Sequence, residues 1–165
     1  MTHPLHVSVP MTGVVACGGL LGTAARGALA LHWPVHTGAW PWATFTVNLV
    51  GAFALGFLLE ALARRGEDAG RRRLLRLGVG TGFLGAFTTY SSLATETDLL
   101  VHATEPALAL AYAVASVVGG LLTALVGIAL AAGHHRWMLR RLAVDPDEPD
   151  GGPGSAPVPE WEGER

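Results

Sequence analysis

Four glycines, Gly78, Gly80, Gly82 and Gly85, lead into the hydroxyl run Thr88-Thr89-Tyr90-Ser91-Ser92, and Thr95 follows. The surrounding residues are apolar, so this stretch makes a poor lipid-facing helix. Non-helical backbone at membrane depth is tolerated only where protein or a watery cavity satisfies it. A break there frees carbonyls able to hold a cation and amides able to face an anion. The spacing predicts a break; the competing reading is a continuous helix whose hydroxyls bond back to their own carbonyls.

Other polar residues sit among apolar neighbours. Thr44 and Asn48 are four apart and share a helix face. Asn48 reads either as hydrogen-bonding glue between helices or as an amide donor to a solute. On either reading it faces a polar interface, so Asn48→Asp is expected to leave folding intact. Tyr112, Ser116, Gly120 and Thr123 form one helical stripe, either small-residue packing or a polar track. Arg26 is the one charge of its apolar run; it either snorkels to the interface or stands at a pore mouth. Gly80-Thr81-Gly82-Phe83-Leu84-Gly85 matches G-x-G-x-x-G, but a dinucleotide site needs a preceding strand and a soluble helix. His134 and His135 are adjacent, so they point to different faces and make a poor metal site. The chain has no paired carboxylates, nucleophile or metal cluster that would support an enzyme.

These residues need elements to hold them. The chain has 165 residues, 50% hydrophobic and only 15% charged, against about 25% charged in a soluble domain. Its single cysteine, Cys17, excludes an internal disulfide framework, and the net charge of −2 gives no nucleic-acid footprint. About 20 apolar residues cross a bilayer core. Four spans qualify, at about 11–32, 42–63, 75–102 and 106–133. The expected fold is an all-α integral membrane protein whose third of four transmembrane helices is broken mid-membrane. Residues 1–141 form this membrane domain. Residues 142–165, rich in Pro, Gly and acids, are expected to be a disordered cytoplasmic tail. Ala28-Leu29-Ala30 imitates a signal-peptidase site, but no basic residue precedes the apolar run.

At this point the sequence resembles the small bacterial fluoride channels, the Fluc or CrcB family. The resemblance covers roughly residues 11–135. Gly18-Gly19-Leu20-Leu21-Gly22-Thr23-Ala24-Ala25-Arg26 is similar to the first-span pattern of glycines followed by Arg. Thr44 to Gly51 is similar to the second-span T-x-x-x-N-x-x-G. Gly82-Phe83-Leu84-Gly85-Ala86-Phe87-Thr88-Thr89-Tyr90-Ser91-Ser92-Leu93 is similar to the third-span G-F-x-G-x-x-T-T-F-S-T-F. Tyr112 and Ser116 fit the fourth-span track.

The resemblance implies a fluoride-specific channel subunit that passively exports fluoride, in an antiparallel dimer with pores at the subunit interface. It implies a structural, untransported Na⁺ at the dimer centre, held by the backbone carbonyls of Gly85 and Thr88. Thr44, Asn48, Tyr90, Ser91, Leu93, Tyr112 and Ser116 are the expected pore-lining residues, with Ser92 as a further hydroxyl donor and Arg26 at the pore mouth. Fluoride is small and strongly hydrated, so close amide, hydroxyl and ring-edge donors must offset its dehydration. Two departures stand out: Tyr90 and Leu93 occupy the positions of the family's two Phe.

Arginine counts set the expected orientation. With the N-terminus inside, nine Arg face the cytoplasm: six over residues 64–76, together with Arg136, Arg140 and Arg141. The outer links carry none. Such a bias fixes one orientation, with both termini cytoplasmic at the cell membrane. A single orientation points to a heterodimer with a homologous chain of opposite orientation, which can supply the ring edge that Leu93 lacks. One alternative is a non-conducting partner subunit. The other, a small multidrug exporter, needs an acid in the middle of the first span, which has none.

Overall fold

The computed structural model describes residues 9–34 and 36–142. The tail expected from residue 142 lies, beyond Leu142, outside these described residues. Helices α1 (Val9–His32) and α2 (Trp42–Ala63) come first. Helix α3 (Gly70–Leu75) runs into a π-helical stretch, Arg76–Leu84, and a last turn, α4 (Gly85–Phe87). After Thr88 and Thr89, α5 (Tyr90–His102) and α6 (Pro106–Leu142) complete the chain. Every described element is helical.

Composition sets most boundaries. Pro41 immediately precedes α2 and Pro106 opens α6, where a missing N–H does no harm. Gly66 and Gly70 take positive φ in the charged link before α3. At the end of α5 the amides of Thr104 and Glu105 return to the carbonyls of Val101 and Leu100, a Schellman turn with Thr104 at φ 63°.

Among the described residues, three helices are long and apolar enough to cross a membrane: Pro10–His32, Trp42–Ala63 and Pro106–Leu139. Helix α2 covers the residues expected for the second span, and α6 continues past 133 to Leu142. Trp137, Met138 and Leu139 carry the helical pattern onward among the arginines. The third expected span is bent, and its helix starts at Gly70, because the arginines of the link are good helix formers.

The helices pair through glycine. A Cβ on Gly18 or Gly22 of α1 would overlap the carbonyl oxygen of Gly78 or Phe83, and one on Gly82 would meet Val15. Helix α1 therefore lies parallel to the π-helical stretch with the backbones in near contact. Helices α2 and α6 run parallel in the same way: Leu49 lies against Gly119, Gly56 against Ala124, and Phe53 and Phe57 against Gly127. Helix α2 is antiparallel to the broken helix, with Leu55 and Leu58 at Gly80, Gly51 at Thr88 and Asn48 at Thr89.

This packing gives a test. Gly22→Val places a branched side chain against the Phe83 backbone and is expected to cost about 1–3 kcal/mol or more. Gly13→Val, with no atom within 4 Å of a new Cβ, is expected to cost less than about 1 kcal/mol, the helical price of glycine and valine being similar. Thermal unfolding of the purified variants in detergent measures the difference.

Candidate functional site around the helix break

The break is held by one side chain. Asn48 Nδ2 donates to the Thr89 carbonyl at 3.0 Å, and the Thr89 N–H donates to Asn48 Oδ1 at 2.8 Å. Asn48 thus pairs with Thr89 as a second backbone strand would. Thr88 and Thr89 are both extended, with ψ of 154° and 121°. Thr89 then caps α5: its Oγ1 accepts from the Ser92 N–H at 3.1 Å and lies 3.1 Å from Ser91 Oγ and 3.2 Å from Ser92 Oγ. On the other side, the Thr88 N–H and Oγ1 both donate to the Leu84 carbonyl, at 3.0 and 2.9 Å.

These bonds reassign two helical donors. In a continuous α-helix the Gly85 carbonyl would accept from residue 89 and the Thr88 carbonyl from residue 92. Here the Thr89 N–H goes to Asn48 and the Ser92 N–H to the Thr89 hydroxyl. The carbonyls of Gly85 and Thr88 are therefore without their helical partners. The break also places the N-terminus of a 13-residue helix, α5, at the edge of an open cleft, with its partial positive charge among hydroxyls.

Most of the expected site residues fall into two clefts, whereas Gly85, Ser91 and the core residue Tyr112 line neither. Asn48, Thr88, Thr89, Tyr90, Leu93 and Ser116 line an open one of about 300 Å³. Tyr90 stands at its rim, 81% exposed, and Ser91 is exposed beside it. Leu93 packs into the core with Leu100, Ala109 and Tyr112. The buried Ser116 Oγ makes no close hydrogen bond among the described residues and lies near the Tyr112 hydroxyl. Arg26 lines a second cleft of about 230 Å³ with Thr23, Thr44, Ser92 and Glu96. Thr123, farther along the α6 stripe, turns back to the Gly120 carbonyl at 3.1 Å.

Two residues went unrecognised in the sequence. Glu96 accepts from Thr44 Oγ1 at 2.7 Å and from the wholly buried Tyr112 hydroxyl at 2.6 Å. Its carboxylate joins α2, α5 and α6. The available signal was an acid within an otherwise apolar span, which is costly unless partnered, and Thr44 and Tyr112 were already conspicuous hydroxyls. Thr89 was read as one of five hydroxyls, whereas it is the residue that Asn48 grips. That grip also corrects the expectation for Asn48→Asp: a carboxylate cannot donate to the Thr89 carbonyl, so the substitution acts on the fold as well as on any solute.

The profile of the family described as CrcB-like protein, Camphor Resistance (CrcB), matches residues 13–128. The chain belongs to the CrcB family. A relative from Leifsonia xyli subsp. xyli, named fluoride-specific ion channel FluC 2, is 46% identical over 79% of this chain and 90% of its own length. Fluoride-specific ion channel FluC 1 of Cutibacterium acnes is 46% identical over 72% of this chain and 83% of its own. Fluoride-specific ion channel FluC 2 of Streptomyces avermitilis is 42% identical over 67% and 68%. With its membrane-length helices, this CrcB chain is a membrane protein, and the break lies well within the matched region.

The Glu96 contacts predict an asymmetry. Tyr112→Phe removes a buried donor from a carboxylate and is expected to cost about 1.5–3 kcal/mol. Glu96→Gln is expected to be milder, since the Tyr112 and Thr44 hydroxyls can turn to accept from an amide. Unfolding midpoints of the two variants in one detergent check the order.

Proposed function

We propose that this CrcB chain is a subunit of a fluoride-specific channel that lets fluoride leave the cytoplasm passively through the cell membrane. The observation that carries this reading is the helix break itself, where the start of α5 opens on the cleft that Asn48 and Ser116 line. Fluoride needs short, hard donors. One Asn48 N–H is engaged by Thr89, but the amide has a second. Ser116, Ser91 and Ser92 add hydroxyls, and Tyr90 adds a ring edge. The N-terminus of α5 favours an anion electrostatically, and Arg26 in the second cleft adds a full positive charge at a mouth.

The broken segment serves as the third of four crossings in this reading, with residues 1–141 as one membrane domain. Tyr90 lies open on the cleft rim, where a second, antiparallel copy or homologue would cover it. The freed Gly85 and Thr88 carbonyls suit a Na⁺, since they are hard oxygen ligands without helical donors; two subunits together would offer four. Such an ion would supply fixed positive charge and tie the two breaks together. The nine arginines at one end favour a single orientation with both termini inside, hence a partner of opposite orientation. A second reading, a non-conducting subunit of such a pair, is favoured by Leu93. It packs into the core and offers no ring edge at the position of the family's second Phe.

Fluoride efflux from liposomes tests the proposal. Ser116→Ala is expected to cut efflux about tenfold while costing at most about 1 kcal/mol, because its hydroxyl gives up no more than a weak contact with Tyr112. Asn48→Asp is expected to abolish efflux and lower stability together. Efflux from this chain alone supports a conducting subunit. Efflux only after addition of a homologous chain, undiminished by Ser116→Ala in this one, supports the non-conducting reading.

A further inference from the structure

The Arg-rich end of the bundle has a charge imbalance that no described residue relieves. Helices α2 and α6 are parallel, and Phe57 of α2 lies level with Gly127 of α6. The end of α2 at Ala63 is therefore level with about His134. The link over residues 64–69, the start of α3 and the last turns of α6 all emerge from one end. Nine Arg and only three acids, Glu60, Glu67 and Asp68, lie there, leaving a charge of +6. Glu60 is paired with Arg64 at 2.5 Å and Asp68 with Arg76 at 2.7 Å. Arg65, Arg71, Arg136 and Arg141 are exposed. The Arg141 guanidinium sits 4.0 Å over the Trp137 ring, and His134 stacks on the same ring, which presents Arg141 on a rigid helical face.

The residues that follow carry the complement. Residues 143–165 contain seven acids and one Arg, a charge of −6. Four acids fall within Asp145–Asp150, starting four residues after Arg141, and three within Glu160–Glu164. We propose that this acidic segment docks on the arginine collar of its own chain and acts as a built-in polyanion that neutralises that end of the bundle. Attachment to α6 keeps the segment at a high effective concentration, on the millimolar scale for a short connection. Anionic lipid is the less favoured occupant of the α6 part of the collar for reasons of reach. The apolar part of α6, 106–132, extends about 40 Å at 1.5 Å per residue, which already fills a tilted crossing of a core about 30 Å thick. The last turn of α6 then stands beyond the headgroup phosphates. A docked tail would keep the collar from gathering phosphate-bearing polyanions. This inference concerns a surface away from the break and does not depend on fluoride conduction.

Electron–electron distance measurement on the full chain tests it. Spin labels go on Ala69→Cys in the link and Ser155→Cys in the segment, in a Cys17→Ser background. The chain is diluted with unlabelled protein and held in zwitterionic nanodiscs at low salt. The comparison carries the seven acids changed to Asn and Gln, which leaves the bundle untouched. The native segment is expected to give a mean distance shorter by the order of 10 Å, a sizeable part of the ~20 Å an unpinned connection of this length spans. That difference is expected to vanish in 0.5 M salt, where screening reaches only a few ångströms. It is expected to persist when anionic lipid is added to the disc. Equal distances in native and neutralised chains, or a contraction that survives high salt, would overturn the proposal. Loss of the contraction in anionic discs would assign the collar to lipid instead.

Discussion

A helix cannot stop in the middle of a bilayer unless something takes up its loose backbone groups. In this chain that task falls to Asn48. Its amide holds both polar groups of Thr89, at 3.0 and 2.8 Å, in place of the helical partners they have lost. The rest of the site follows from that reciprocal pair. Because the Thr89 N–H faces α2, the Gly85 carbonyl loses its helical donor. Because Thr89 is held extended, its hydroxyl can cap α5 and free the Thr88 carbonyl as well. One side chain thus creates a helix N-terminus and two available carbonyls in the same place.

The surrounding bundle keeps this arrangement from relaxing. Backbone-to-backbone approach at Gly18, Gly22 and Gly82 fixes the stretch before the break against α1. Beyond the break, Glu96 ties α5 to both α2 and α6 through Thr44 and Tyr112. The broken helix is therefore pinned on each side of Thr88–Thr89, and Asn48 and Ser116 line the cleft between. The charged residues are segregated along the same axis: Arg26, Glu96 and Asp98 lie on the α5 side of the break, and the nine arginines of 64–76 and 136–141 gather at the far end.

Much of this was legible in the sequence. Apolar length located α1, α2 and most of α6, because crossing a bilayer is a length requirement. Glycine followed by clustered hydroxyls located the break, since no other composition fits non-helical backbone in apolar surroundings. What escaped was partnership. Asn48 was singled out as a polar residue in the wrong place, yet its partner lies 41 residues away, and no local pattern links the two. Glu96 was passed over as an acid near the end of a span, because only the fold brings Thr44 and Tyr112 to it. The end of α6 was missed for a different reason: leaving the apolar core does not end a helix when the next residues are good helix formers. Arginine and tryptophan continue it to Leu142.

The central claim is that Asn48 holds the break open by bonding the Thr89 backbone. Residue-resolved amide hydrogen exchange, by NMR on the protein in micelles, measures this directly in the native chain and in Asn48→Leu. The account predicts a slowly exchanging Thr89 amide in the native chain that becomes fast in Asn48→Leu, while the amides of α2 around residue 48 keep their protection. A Thr89 amide that exchanges at loop rates in the native chain, or one whose protection survives the substitution, would contradict it.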